Sequence, residues 1–282
     1  MLVYASPTVY ASPTVYASPT SFLYHPLQTW CGAGKMADGE RRFVRIHAEE
    51  VSSESPVLIE GFPGIGLIGN IASQHLVESL NMKPIGTLVS DYFPPIAIMY
   101  RGRVSMPVRI YESSEQNLIT ILSDIPVVPE ASHPVASAIV DWCEHIGARE
   151  VVSIAGVATM GEEQRVFGAA TTEELWQRIA PHVEMFEVGS IAGISGSLLT
   201  ECYVRGIPAL ALLGETHGTG PNPRAAAHVI ETMNSVYGLS VDVQGLLEQA
   251  ERIETEMQRL AEQVSSAEAQ ARATRREFPM YG

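Results

Sequence analysis

Strands that alternate with helices, strand centres free of charge, and turns marked by glycine and proline predict an α/β fold. Apolar strand centres imply strands buried on both faces, so the expected architecture is a mostly parallel sheet covered by helices on each side. Val57–Glu60 reads as a short strand, and the glycine-rich run Gly61–Gly69 turns it into a helix reaching about Leu80. Pro84–Ser90 is a second strand, closing on Asp91. Ala97–Tyr100, Val104–Tyr111 and Asn117–Ser123, with turns at Arg101-Gly102 and Ser113-Ser114, predict an antiparallel meander. His133–Ile146 reads as a helix and Glu150–Val157 as a buried strand. Thr171–Ala180 is a short helix with Glu173 and Glu174 in its first turn, followed by a strand at Glu184–Val188. A helix over Ser195–Arg205 and an apolar strand over Ile207–Gly214 come next. Asn222 or Pro223 then opens a helix to Tyr237, where proline suits the first turn.

The 282 residues carry a formal net charge of −14, which argues against a nucleic-acid partner. Cys31, Cys143 and Cys202 are widely spaced and form no CxxC pair, so neither a disulfide framework nor a zinc site is expected, and a reducing cytoplasm fits. No uncharged apolar run reaches the roughly 18 residues that a membrane span needs. Residues 1–35 differ from the rest. Val3–Thr8, Val9–Thr14 and Val15–Thr20 are identical copies of VYASPT, a low-complexity sequence unable to build a core. Met36 is the expected natural start. The expected organisation is a low-complexity segment at 1–35, an α/β core at 36–242, a heptad helix at 243–278 and a short tail at 279–282.

Three local patterns invite a chemical reading. Gly64-x-Gly66-x-x-Gly69 follows a strand and opens a helix, with Asp91 about 20 residues on, as in dinucleotide-binding proteins. Pro63 removes a loop donor, Asp91 runs into Tyr92-Phe93-Pro94-Pro95, and a meander follows where a helix should stand. A tight strand-to-helix turn is therefore the preferred reading, and nucleotide or nucleoside binding through Gly61–Gly69 the alternative. Glu215-Thr216-His217-Gly218-Thr219-Gly220 sits between an apolar strand and a helix, where Glu215 and His217 could cradle a ligand or serve acid/base work, although a glycine-rich connector is the preferred reading. Gly193-Ile194-Ser195-Gly196-Ser197 lacks the last glycine of a nucleophile elbow, so Ser195 or Ser197 is expected to cap a helix. The histidines show no ligand spacing, and no metal or other cofactor is expected. Asp91–Ile96, two aromatics beside two prolines, suits a partner contact or core packing equally.

From Leu246 the apolar positions Leu246, Ala250, Ile253, Met257, Leu260, Val264, Ala267 and Ala271 repeat every seven residues. Glutamates and arginines fill the positions between them, and no glycine or proline interrupts the run to Phe278. A strict 3.5-residue period suits a partner helix better than a flat core face, so Leu246, Ile253, Met257, Leu260 and Val264 are candidate coiled-coil contacts in a homo-oligomer.

GFPGIGLIG (Gly61–Gly69), VFGAATTEE (Val166–Glu174), GSIAGISGSLL (Gly189–Leu199), GPNPRAAAHVIETMN (Gly220–Asn234) and LSVDV (Leu239–Val243) occur in an order that resembles the proteasome assembly chaperone family. The resemblance spans roughly Phe43 to Leu260. It implies a three-layer α/β/α sandwich related to nucleoside phosphorylases, with a long C-terminal helix and no known catalytic site. Archaeal members that end in a hydrophobic residue, a tyrosine and any last residue are similar to homo-oligomeric, non-enzymatic factors that bind the α-ring of the proteasome core particle. They act as assembly chaperones or activators. That motif maps onto Met280, Tyr281 and Gly282. The resemblance implies that the tail enters a pocket between α-ring subunits, where the ring of Tyr281 fills the pocket and the terminal carboxylate meets a lysine.

Overall fold

The computed structural model describes residues 28–35, 41–100, 102–159, 164–218, 220–253 and 255. Twelve strands and five helices occur along these residues. The first half contains β1 (Gln28–Lys35), β2 (Arg41–Ala48), β3 (Val57–Gly61), α1 (Ile68–Ser79), β4 (Lys83–Ser90), β5 (Ile98–Tyr100), β6 (Arg103–Ser105), β7 (Val108–Ser113), β8 (Leu118–Ser123) and α2 (Pro129–Ile146). The second half contains β9 (Glu150–Ala158), β10 (Val166–Ala170), α3 (Glu173–Ile179), β11 (Glu184–Met185), α4 (Gly193–Arg205), β12 (Ala209–Thr216) and α5 (Pro223–Tyr237). Residues 244–253 form the start of a further helix.

Ten strands build one sheet in the order β1-β2-β4-β7-β8-β3-β9-β12-β10-β11, while β5 and β6 pair only with each other. The expectation of a mostly parallel sheet needs correction. Only the centre, β8-β3-β9-β12, is parallel throughout. The flank β1-β2-β4-β7-β8 is antiparallel, and a short turn rather than a crossover helix joins β7 to β8. The expected strand Val104–Tyr111 is two strands in different sheets, broken at Met106-Pro107. β10 was not anticipated and lies antiparallel beside β12. β1 falls within the segment expected to stand apart from the core, yet its backbone pairs with β2 along its whole length.

Two hydrophobic layers flank the sheet. Leu58, Ile119, Ile121 and Val151 face α2 and α4, joined by Trp142, Val135, Ile139 and Leu198. Val57, Ile59, Val152, Ile154, Leu210 and Leu212 face the other way, against α1, α3 and α5 through Ile68, Leu76, Ile179, Ile230 and Met233. Alternation along β3 sends neighbouring side chains into opposite layers, which makes the molecule a three-layer α/β/α sandwich. Burying each such side chain contributes about 1.5–3 kcal/mol. Helix starts follow their caps: Thr172 accepts from the Leu175 amide at 3.3 Å, and Asn222 from that of Ala225 at 3.0 Å.

Candidate functional site

Because β3, β9 and β12 are parallel, their C-terminal ends meet at one edge of the sheet, the usual place for ligands in this class of fold. The glycine loop, the Glu215 segment and the start of α4 converge there. After Gly61 the chain makes a single 3-10 turn, Ile65–Leu67, before α1 begins. Gly66 takes φ 67°, a left-handed conformation that glycine adopts without a Cβ clash. Its carbonyl oxygen accepts from the Asn222 amide at 2.8 Å, tying the loop to the start of α5. Gly69 answers to packing: a Cβ there would lie 2.3 Å from the Ile154 carbonyl oxygen, so its absence lets α1 rest on β9. A Cβ at Gly64 would meet nothing within 4 Å. Gly69→Ala is accordingly expected to cost about 1–3 kcal/mol through a backbone collision, measurable by denaturant unfolding with no ligand present.

Asp91 directly follows β4, and in the sheet β7 and β8 stand between β4 and β3. At about 4.8 Å per strand, the acid lies on the order of 14 Å to the side of the glycine loop. A dinucleotide fingerprint needs that acid on the neighbouring strand. Asp91 instead accepts a hydrogen bond from the Phe43 amide at 2.9 Å. Gly64, Gly66 and Gly69 thus form a tight connection, as preferred from sequence. Beyond Asp91, Tyr92 is buried and Phe93 packs against the core, whereas Pro94, Pro95 and Ile96 are exposed.

Glu215 and His217 are adjacent in sequence but differ in setting. The Glu215 side chain is fully buried and bound by Arg165. Its Oε2 accepts from the Arg165 amide at 3.1 Å and Nε at 3.0 Å, while Oε1 accepts from Nη2 at 2.9 Å and from the Thr159 hydroxyl. These bonds, Arg165 foremost, hold the Glu215 carboxyl at about 2, far below its usual range. A carboxylate so saturated cannot accept or donate a proton near neutrality, so the acid/base reading of Glu215 falls. His217 is exposed. Arg165, which also lies 5.0 Å from the Phe167 ring centroid, was not singled out from sequence, because its partner is 50 residues away.

A second buried acid does carry unexpected structure. Glu60, at the end of β3, is wholly buried, and its Oε2 accepts from the hydroxyls of Ser153 at 2.5 Å and Ser195 at 3.0 Å. Its Oε1 accepts from the Phe62 amide at 2.9 Å. Burial pushes its carboxyl up, and the three donors partly counter this. Ser195 therefore does not cap α4, which starts two residues earlier at Gly193; it fastens the first turn to β3 and β9. Glu60→Ala is expected to leave three buried donors unanswered, at about 1 kcal/mol or more each, whereas Glu60→Gln keeps a hydrogen-bonded core. Because the folded value is raised, Glu60 itself favours folding more as pH falls, and Glu60→Gln should remove that slope from melting measured at several pH values. The Cys143 and Cys202 thiols are buried and lifted by burial, Cys202 to about 12, so neither is a ready nucleophile.

The C-terminal helix leaves the body at the opposite edge. Asn234 clamps Val241 from both sides, with Nδ2 to the Val241 carbonyl at 2.9 Å and the Val241 amide to Oδ1 at 3.1 Å. His75 meets the Asp242 carbonyl at 2.6 Å, and Asp242 Oδ1 accepts from the Gln244 amide at 2.9 Å. Leu246 and Ala250 are buried, Leu246 within the layer under α1 and α5, and Ile253 is half-buried. The first turns of the heptad helix thus seat on their own domain. Met257, Leu260, Val264 and the tail Met280, Tyr281 and Gly282 lie outside the described residues. Among the described residues no group of three or more His, Cys, Asp or Glu is placed to hold a metal ion, and no helix is long and apolar enough to cross a membrane.

Comparison with known proteins places these features in context. A model of the PAC2 family matches residues 58–261. The structure of Pyrococcus furiosus PbaA, described as an archaeal homolog of proteasome-assembly chaperone, superposes with a TM-score of 0.72 at 36% identity, over 82% of this chain and 97% of that one. P. furiosus PbaB, described as an archaeal proteasome activator, gives a TM-score of 0.70 at 28% identity, over 77% of this chain and 98% of that one. An uncharacterised protein of Methanocaldococcus jannaschii is 34% identical over 236 residues, 84% of this chain and 97% of the relative.

Proposed function

The chain belongs to the PAC2 family, and from that premise we propose that it is a non-enzymatic, cytoplasmic factor that assembles or activates the proteasome by docking its C-terminal tail into the α-ring of the core particle. The observation that carries the reading is likeness over nearly the full length of PbaA, joined to the sequence Met280-Tyr281-Gly282. The body contributes a rigid mount. Asn234, His75 and Asp242 fix the base of the C-terminal helix, and Leu246 and Ala250 key it into the core. Ile253, Met257, Leu260 and Val264 continue the apolar heptad seam and add to self-association, but Ala250, Ala267 and Ala271 in the same stripe make this helix too weak to hold copies together alone. An extended tail from Thr274 to Gly282 reaches on the order of 30 Å, enough to enter a pocket from a raised helix bundle.

One tripeptide binds weakly. Several on one oligomer act together, because after the first has docked the rest are held near their pockets at an effective concentration near millimolar. The test mixes the purified protein with cognate core particle and, separately, with free α-subunits, following co-sedimentation and peptide hydrolysis. Binding to the finished particle with faster hydrolysis identifies an activator. Binding to free α-subunits with faster particle formation identifies an assembly factor. Binding to neither overturns the proposal.

A further inference from the structure

Two exposed surfaces play no part in the arrangement above, and they are opposite in charge. Residues 92–111 hold three arginines and no acid in a chain of 18 basic and 32 acidic residues. Their centre is the β5–β6 hairpin, paired to no other strand among the described residues. Met99 is 80% exposed and Val104 72%, with Ile96 and Met106 exposed alongside. Arg109 is held by Asp124, but Arg103 is exposed and has no carboxylate partner among the described residues. A two-stranded ribbon with an apolar, basic surface is marginal alone and gains stability when covered.

The second surface lies on α2 and α4. Tyr203 and Val204 are 70% and 75% exposed. Beside them Asp141, Glu144 and Glu201 share Arg205, and His133 lies 3.7 Å from Glu201, so three carboxylates face one permanent cation and one histidine among the described residues and the patch is net acidic. Strand direction separates the two surfaces. β4 runs parallel to β3, so the hairpin after it projects at the glycine-loop edge, whereas α4 ends just before β12 begins, at the opposite edge. The hairpin therefore cannot cover the α2–α4 patch of its own chain.

We propose that the β5–β6 hairpin of one copy docks on the acidic, apolar α2–α4 face of a second copy, with Arg103 against Glu144 and Asp141 and with Met99 and Val104 against Tyr203 and Val204. This deepens the preceding reading, which calls for several tails on one particle. The interface is heterologous, so it repeats from copy to copy and gives a ring where the rotation closes.

Light scattering after size-exclusion chromatography on the full chain tests it. Val104→Asp and Tyr203→Asp are each expected to reduce the assembly to single chains, with far-UV circular dichroism and melting unchanged because both side chains are exposed; Val204→Asp replaces Tyr203→Asp if that variant fails to fold. Mixing the two variants should then yield a one-to-one pair and nothing larger, since each retains the surface the other lacks. Arg103→Glu should weaken the assembly and Glu144→Arg in the same chain should restore it. A single-chain wild type, a variant that keeps wild-type size, or a mixture that stays unpaired overturns the interface. Loss of core-particle binding at unchanged size would assign the hairpin to the core particle and overturn it too. Tyr281→Ala should leave assembly size untouched, so the tail and the interface can fail separately.

Discussion

Replacing Tyr281 with alanine is expected to abolish binding to the core particle while leaving the fold and its melting temperature unchanged. A buried tyrosine at a protein contact typically contributes 2 kcal/mol or more, about 30-fold in affinity. When several tails engage one ring, the loss recurs at each pocket, so the fall in avidity greatly exceeds the loss at one site. Tyr281→Phe keeps the apolar ring and removes only the hydroxyl, about 1 kcal/mol per tail, and should bind measurably but less well. A residue added after Gly282 moves the terminal carboxylate and should act like the alanine variant. Surface-immobilised core particle reads all four proteins, and equal responses would return the tail to coincidence.

Arg165→Ala should be the most destabilising single change at the sheet edge. It strands the Glu215 carboxylate, whose side chain has no solvent exposure, after removing two of its hydrogen bonds. The Arg165 amide bond remains, but both guanidinium contacts go, and because the Arg165 side chain is itself 31% exposed the cost falls below that of a fully buried pair, at about 2–4 kcal/mol. For a chain of this size that lowers the melting temperature on the order of 10 °C. Pairing Arg165→Met with Glu215→Leu should recover much of the loss, because no charge is then left buried. The wild-type pH profile has a definite sign. Glu215 has a folded value of about 2 against an ordinary 4.5, so its contribution is present above about 4.5 and is lost as pH falls toward 2. In Arg165→Ala the slope reverses: without its cation the buried acid is better tolerated protonated. Scanning calorimetry between pH 3 and 7 separates the two. An unchanged melting temperature would mean that water reaches Glu215 freely.

Much of this fold was legible because local chemistry and the final arrangement agree. Asn222 and Pro223 announce the start of α5, and the charge-free run at Ala209–Gly214 announces a strand buried on both faces. α2 begins earlier than expected because Pro129 opens it and the helix runs on through the interior Pro134, despite the amide donor that proline removes. β10 was missed since Val166–Ala170 is short and interrupted by Gly168, and only its fit between β12 and β11 makes it a strand. Membership of the family was readable, as was the glycine loop as a turn. The Glu60 and Arg165 networks were not, because each joins residues 50 or more apart. The heptad pattern shows a further limit: an apolar stripe states which face is buried, never against what. Leu246 and Ala250 belong to that stripe and pack on their own domain.

The position of β3 also constrains how the chain reaches its native state. All five of its residues are buried, and it pairs with β8 on one side and β9 on the other. Its bond to Ser153 spans 93 residues. At the pace of translation, about 5–20 residues per second, a nascent β3 waits roughly 5–20 s for its second neighbour. The β7–β8 hairpin, joined by a short turn, can form while it waits. Closure of the central sheet, with its high contact order, is therefore expected to limit the folding rate, and until then this apolar strand is an open template for wrong partners.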